Sequence, residues 1–276
     1  MSKSYLEVLT RASSFLERHG KEGHAIEYLF LARKNWDKTT WLLNMRKSIS
    51  PVDEAMIEAD LAELMKDIPP QYLLGYEEFY GQTFKVTKDT LIPRPETEEL
   101  VALCLADNPK KDLKVTDIGT GTGVIAISLK LARPSWQVTA LDISTAALEV
   151  AKMNAENLSA EVHFKKSDVL AKLTEKQDII ISNPPYISAD EWELMDVSVR
   201  KFEPKQALFA DNQGLAIYQK IAKEAPKLLN PQGKIYLEIG FQQADSVKEI
   251  FQQAFPAKEV NLKKDLFGLD RMIVVE

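Results

Sequence analysis

Lys114-Val115-Thr116-Asp117-Ile118-Gly119-Thr120-Gly121-Thr122-Gly123 decides the fold of this chain. The first five residues read as a short apolar strand. Three glycines follow, and residues 124–132 then read as a helix. Glycines between a strand and a helix permit positive φ and let a ligand approach the backbone closely. Outward from this unit, strands and helices alternate. Further strands are expected over 137–141, 161–164, 179–182, 234–239, 259–262 and 272–275, with helices over 144–157 and 245–254. Such alternation predicts an α/β fold built on a doubly wound, mostly parallel sheet of seven strands. Only a short, glycine-containing connection joins the last two strands. A parallel crossover needs about a dozen residues, so the last strand is expected to run antiparallel.

On the N-terminal side the period changes. Tyr5, Leu6, Leu9, Ala12, Phe15 and Leu16 recur at helical spacing, and Gly20 stands where that helix would stop. Further helices are expected over about 25–32 and 40–45. Ser50-Pro51 reads as an N-cap with proline at the first helical position, opening a helix that would bury Ile57, Leu61 and Leu64 and end before Pro69-Pro70. Phe79, Tyr80, Phe84 and Val86 flank Gly81-Gln82 and suggest a hairpin. Thr97 or Glu96 is a candidate cap for a helix carrying Leu100, Val101, Leu103 and Leu105. The expected division is a small helical bundle over 1–74, a hairpin linker over 75–92 and the α/β domain over 93–276.

Composition narrows the partners. The 276 residues are 45% hydrophobic and 28% charged, ordinary for a globular protein, and no apolar run would span a bilayer. Lys3 is followed by no unbroken apolar segment, so no secretory signal is expected. The single cysteine, Cys104, fits a reducing compartment, and a cytoplasmic location is expected. The net charge of −6 divides evenly between residues 1–80 and the rest. Neither part is a basic module that holds nucleic acid by counterion release. His19, His24 and His163 are scattered, with no metal-ligand spacing.

Four places carry candidate chemistry. Gly119, Thr120, Gly121, Thr122 and Gly123 suit a cofactor cradle. A dinucleotide fingerprint would want a further glycine where Val124 stands. Asp142 ends the second strand, where a carboxylate accepts from ribose hydroxyls or caps the next helix; Ser144 is the better cap. Asp168 and Val169 follow the third strand and are candidates for an adenine edge and face, or a plain turn. Asn183-Pro184-Pro185-Tyr186 follows the fourth strand, at the carboxyl edge where ligands bind in such sheets. Its prolines lack N–H donors but keep their carbonyls, and Asn183 adds a side-chain acceptor. Tyr186 can wall off a planar guest. A rigid set of acceptors suits an –NH2 group whose delocalised lone pair must be aimed at an electrophilic methyl. The reading is methyl transfer from S-adenosylmethionine to a planar nitrogen.

At these residues the chain resembles the peptide-chain release factor glutamine methyltransferases. The likeness runs through Pro70-Gln71-Tyr72-Leu73-Leu74-Gly75, Leu91-Ile92-Pro93-Arg94-Pro95-Glu96-Thr97-Glu98, Asp117 to Gly123 and Asn183 to Tyr186. It continues in Glu203-Pro204, Gly214-Leu215, Glu238-Ile239-Gly240, Asp265, Gly268 and Arg271. The Asn-Pro-Pro-Tyr motif alone is shared with DNA and RNA adenine methyltransferases. The resemblance implies a Rossmann-like methyltransferase sheet and S-adenosylmethionine as cofactor. It implies a substrate as well: the glutamine of the Gly-Gly-Gln motif in class I release factors. The N-terminal helices would help to hold that factor. It also implies that Gly119 to Gly123, Asp142, Val169 and Asn183 bind cofactor while Asn183 to Tyr186 hold the glutamine. Arg94 and Glu238 are candidates for pocket residues or for a structural salt bridge.

Overall fold

The structure, a computed structural model, describes residues 3–110 and 112–276. The chain divides into two compact units, residues 1–76 with 196–202, and residues 77–195 with 203–276.

The first unit is helical. Its helices are α1 (Tyr5–Arg18), α2 (Ala25–Lys34), α3 (Lys38–Asn44), α4 (Pro51–Leu64) and α5 (Pro70–Leu74). Ser4 and Glu7 form a capping box on α1, the Ser4 N–H donating to the Glu7 carboxylate at 2.7 Å. Ser50 caps α4 ahead of Pro51, as the sequence predicts. Leu9, Leu16, Ile26, Leu29, Phe30 and Ile57 form the core. Leu61 is only half-buried, whereas Asp53 and Asp60 on the same helix are buried. Both acids are paired: Asp53 accepts from Tyr5 Oη at 2.6 Å and Lys34 at 3.0 Å, and Asp60 from Arg33 at 2.8 Å. Buried carboxylates need such partners.

A hairpin of β1 (Tyr76–Phe79) and β2 (Gln82–Lys85) turns at Tyr80 and Gly81, both at positive φ. Two successive positive-φ residues match the twist of paired strands. The second unit continues with α6 (Pro95–Asp107), β3 (Lys114–Ile118), α7 (Val124–Ala132), β4 (Gln137–Asp142), α8 (Thr145–Asn157), β5 (His163–Lys166) and β6 (Gln177–Ser182). Helix α9 (Val197–Phe202) interrupts and is grouped with the first unit, where Lys201 pairs with Asp67 at 2.6 Å. The second unit then resumes with α10 (Lys205–Leu208), α11 (Ala216–Leu228), β7 (Leu229–Glu238), α12 (Ala244–Ala254), β8 (Val260–Lys264) and β9 (Asp270–Val275).

The seven strands β3 to β9 lie in the order β5-β4-β3-β6-β7-β9-β8, and β9 runs antiparallel to both its neighbours. The reversed last strand is as expected. Strand β5 begins two residues later than the sequence suggested. Ile179 and Ile181 of β6 face one core with Leu100, Ile125 and Trp136, while Ile180 faces the other with Tyr218, Leu237 and Phe251. Burial on both faces explains why Ile179-Ile180-Ile181 is unbroken rather than alternating. Among the described residues, no helix is long and apolar enough to cross a membrane.

Candidate active site

The site grows from the end of β3. The Gly119 and Thr120 N–H groups both donate to the Leu141 carbonyl, at 2.8 and 3.0 Å, which pins the glycine loop to the end of β4. Gly119 and Gly121 have φ of 70° and 54°, and a Cβ on either would meet nothing within 4 Å. Their backbone faces open space. Gly123 differs. Its Cβ would fall 2.8 Å from Ile127 Cδ1 and 3.2 Å from Ala151 Cβ, so its smallness serves packing of α7 on α8. Thr120 and Thr122 are buried behind the loop. The Thr120 hydroxyl donates to Asp117 at 2.6 Å, and the other Asp117 oxygen has no partner among the described residues. Burial pushes the Asp117 carboxyl up to about 7.

Asp142 is 9% exposed. One of its oxygens accepts from the Gly121 N–H at 2.9 Å and the other from Ser144 N–H at 2.8 Å. Ser144 caps α8, as expected, by accepting from Ala147 N–H at 3.2 Å. Asp142 therefore braces the loop and the next turn, and each oxygen keeps a lone pair for a further donor. Burial raises its pKa, opposed by these backbone N–H groups.

A cavity of about 260 Å³ opens here. Gly119, Gly121, Asp142, Ile143, Asp168, Val169, Asn183, Pro184 and Pro185 line it. Thr120, Thr122, Gly123 and Tyr186 do not line it. The Asp168 side chain is engaged by Lys220. Val169 is buried with φ of 51°. A β-branched residue in that region is strained and persists only where its surroundings hold it.

Asn183 is set by a chain of hydrogen bonds that the sequence reading did not foresee. Its Nδ2 donates to Thr97 Oγ1 at 3.0 Å, and the Thr97 hydroxyl donates to the Glu238 carboxylate at 2.6 Å. Thr97 is not the helix cap that its position suggested. Helix α6 begins earlier, at Pro95 after Arg94, and leaves Thr97 within the first turn facing Glu238. Arg94 pairs instead with Glu203, whose other oxygen accepts from Ile92 N–H at 2.9 Å. Tyr186 is anchored beyond the cavity, where its carbonyl accepts from Gln243 Nε2 at 2.9 Å. Burial raises the Tyr186 hydroxyl pKa far above its ordinary value.

Sequence reasoning also missed the remaining walls. Thr90, Leu91, Gln206, Ala207 and Phe209 also line the cavity. Leu91 belongs to a motif the sequence shows, but no local period says that segments more than a hundred residues apart line one cavity. Ile143, 44% exposed, had a readable signal: an apolar side chain directly after a strand-end aspartate.

A glycine loop and a proline-stiffened acceptor turn side by side on this sheet, with its reversed final strand, define the Rossmann-like methyltransferase class. Comparisons with known proteins agree. Residues 97–205 match the methyltransferase small domain model, and residues 7–75 match the PrmC N-terminal domain model. The chain is 55% identical to the release factor glutamine methyltransferase of Enterococcus faecalis, with 100% of both chains covered. It is 48% identical to that of Lactococcus lactis, with 99% of both covered. In fold it is similar to a methyltransferase from Pyrococcus furiosus, with a TM-score of 0.56 and 18% identity over 79% of this chain and 98% of that one. The chain belongs to the release factor glutamine methyltransferase family.

Proposed function

We propose that this protein methylates the side-chain amide nitrogen of the glutamine in the Gly-Gly-Gln motif of class I peptide-chain release factors, using S-adenosylmethionine. The observation that carries the reading is Asn183. Its Nδ2 is committed to Thr97, and among the described residues nothing donates to its Oδ1. A free carbonyl acceptor beside two prolines, in a cavity that Gly119 and Gly121 also line, suits a guest –NH2 group.

The residues fit the cofactor. Gly119 and Gly121 offer backbone with no side chain in the way. Asp142 retains lone pairs for ribose hydroxyls, while Ile143 and Val169 offer apolar walls for a flat base. Asp168 is proposed to contribute through its position at that wall. S-adenosylmethionine supplies a methyl group on a sulfonium, which is a good leaving group. Asn183 Oδ1 and the Pro184 carbonyl would accept the two amide hydrogens, aim the nitrogen lone pair and stabilise positive charge growing on nitrogen. The nitrogen would gain the methyl group as the C–S bond breaks, leaving that electron pair on sulfur, and would shed one proton to water. Pro185 would shape the slot, and Tyr186, anchored through Gln243, would hold the turn that carries it. The helical unit, through residues 7–75, is proposed to hold the release factor.

The test is incubation with methyl-labelled S-adenosylmethionine and, in separate tubes, an unmodified release factor, DNA and RNA. Label is expected on the factor's glutamine. Label on nucleic acid and none on the factor would make the protein an adenine methyltransferase instead.

A further inference from the structure

We infer that Glu238 and Thr97 are positioning residues that lock the Asn183 amide with its oxygen outward, and that this lock makes the site select an amide over a carboxylate. The inference rests on the proposed role of Asn183 and extends it to substrate selection.

The argument is one of donors and acceptors. Once ionised, the Glu238 carboxylate only accepts, so between it and Thr97 the proton then comes from the threonine hydroxyl. That hydroxyl has one proton. Once it is given to Glu238 at 2.6 Å, Thr97 Oγ1 can only accept from its other neighbour. The Asn183 group that meets it at 3.0 Å must therefore be the –NH2, which turns Oδ1 away from Thr97. Polarity passes along three side chains from one buried charge. Both Glu238 and Thr97 are sealed from solvent, at 2% and 3% exposure, so water cannot substitute for either partner. They come from distant parts of the chain, α6 and the end of β7, and meet only in the folded unit.

Reversing the asparagine amide would reverse the selectivity. An outward Nδ2 would donate, and would therefore welcome a carbonyl or carboxylate oxygen where the nitrogen belongs. A glutamate side chain is almost the same shape as glutamine, so shape alone separates them poorly. A site built to pair with an N–H rejects an analogue lacking it by up to about 10⁴-fold. The lock supplies that discrimination.

The test uses the full chain, labelled S-adenosylmethionine and a purified release factor bearing either the motif glutamine or glutamate in its place. Thr97→Val keeps the volume and removes both hydrogen bonds. Thr97→Ser keeps the hydroxyl. Glu238→Gln keeps the shape, but its amide can donate to Thr97 and so free the hydroxyl proton to face Asn183. For Thr97→Val, kcat on the glutamine factor is expected to fall about 10²-fold, the cost of a misplaced reacting group. Affinity for S-adenosylhomocysteine should hold, and Thr97→Ser should restore turnover. The second readout is the ratio of inhibition by the glutamate factor to KM for the glutamine factor, which should shift toward glutamate in Thr97→Val and Glu238→Gln. A merely structural role would leave that ratio unmoved. Wild-type kcat in Thr97→Val, or an unshifted ratio, overturns the lock. If Thr97→Val does not fold, Glu238→Gln decides alone by the same two readouts. Failure of the wild-type protein to label the glutamine factor would instead sink the proposed function itself.

Discussion

A Cβ on Gly214 would stand 2.0 Å from the carbonyl oxygen of Tyr186. The same carbonyl accepts from Gln243 Nε2, and Gln243 Oε1 accepts from Gly240 N–H at 3.2 Å. The acceptor turn at Asn183 to Tyr186 is thus braced from behind by backbone and one amide side chain. Gly214 also has φ of 79°, where a side chain is strained in any case.

Gly214→Ala is therefore expected to cost about 1–3 kcal/mol from backbone strain alone, with the clash added. A thermal melt checks it. An unchanged midpoint would show that the turn yields easily and is not held as described.

Asn183→Ala removes the acceptor while leaving the glycine loop and Asp142 untouched. Turnover should drop by about 10²–10³-fold, as for loss of a single preorganised polar group, with little change in S-adenosylhomocysteine affinity. Steady-state kinetics and calorimetry separate the two. Near-normal turnover would remove Asn183 from the chemistry.

Asp142→Ala has a different signature. It deprives Gly121 and Ser144 N–H groups of their acceptor and takes away the carboxylate proposed for the ribose. Cofactor affinity should weaken by about tenfold or more, since hydrogen bonds to a charged group contribute about 1.5–3 kcal/mol each. Retained affinity in a direct binding titration would place the ribose elsewhere.

The buried carboxyls give the protein a pH signature. Burial pushes Glu238 up to about 7, against the Thr97 hydrogen bond and the charges of Arg271 and Arg94, with Glu96 adding to the rise. Asp117 is pushed up to about 7 in the same way. A pKa raised in the folded state favours the protonated form of the native protein. Its stabilising contribution is complete below the ordinary carboxylate range and is lost as pH climbs through about 7. The melting midpoint is thus expected to fall across that window, and Glu238→Gln should flatten the fall. Turnover should run the other way, rising as Glu238 ionises and the lock on Asn183 engages. A midpoint that climbs from pH 5 to 8, or a Glu238→Gln slope equal to wild type, would contradict this.

Much of this is legible in the sequence alone. Ser50 and Ser144 announced their helices because a short hydroxyl before an apolar run satisfies free N–H groups locally. The strand of β6 was readable from three successive isoleucines. What escaped reading depends on distance along the chain. Thr97 looked like a cap because nothing nearby reports that Glu238 will face it. Nothing in the local sequence marks Asp53 and Asp60 as buried, because their partners Tyr5, Lys34 and Arg33 lie 19 to 48 residues away. The stretch from Trp192 to Leu228, with its short helices, carries no sustained apolar period until α11, so the helices that wall the cavity went unassigned.

Helix α9 has a bearing on how this protein can be dissected. Because residues 196–202 return to the first unit, three peptide links rather than one join the halves of the chain. A fragment cut after Tyr76 would leave Asp67 with Lys21 and without Lys201, and would lack one of the unit's own helices. The N-terminal segment is discontinuous in sequence and whole only in space, so any excised version must graft that distant helix back.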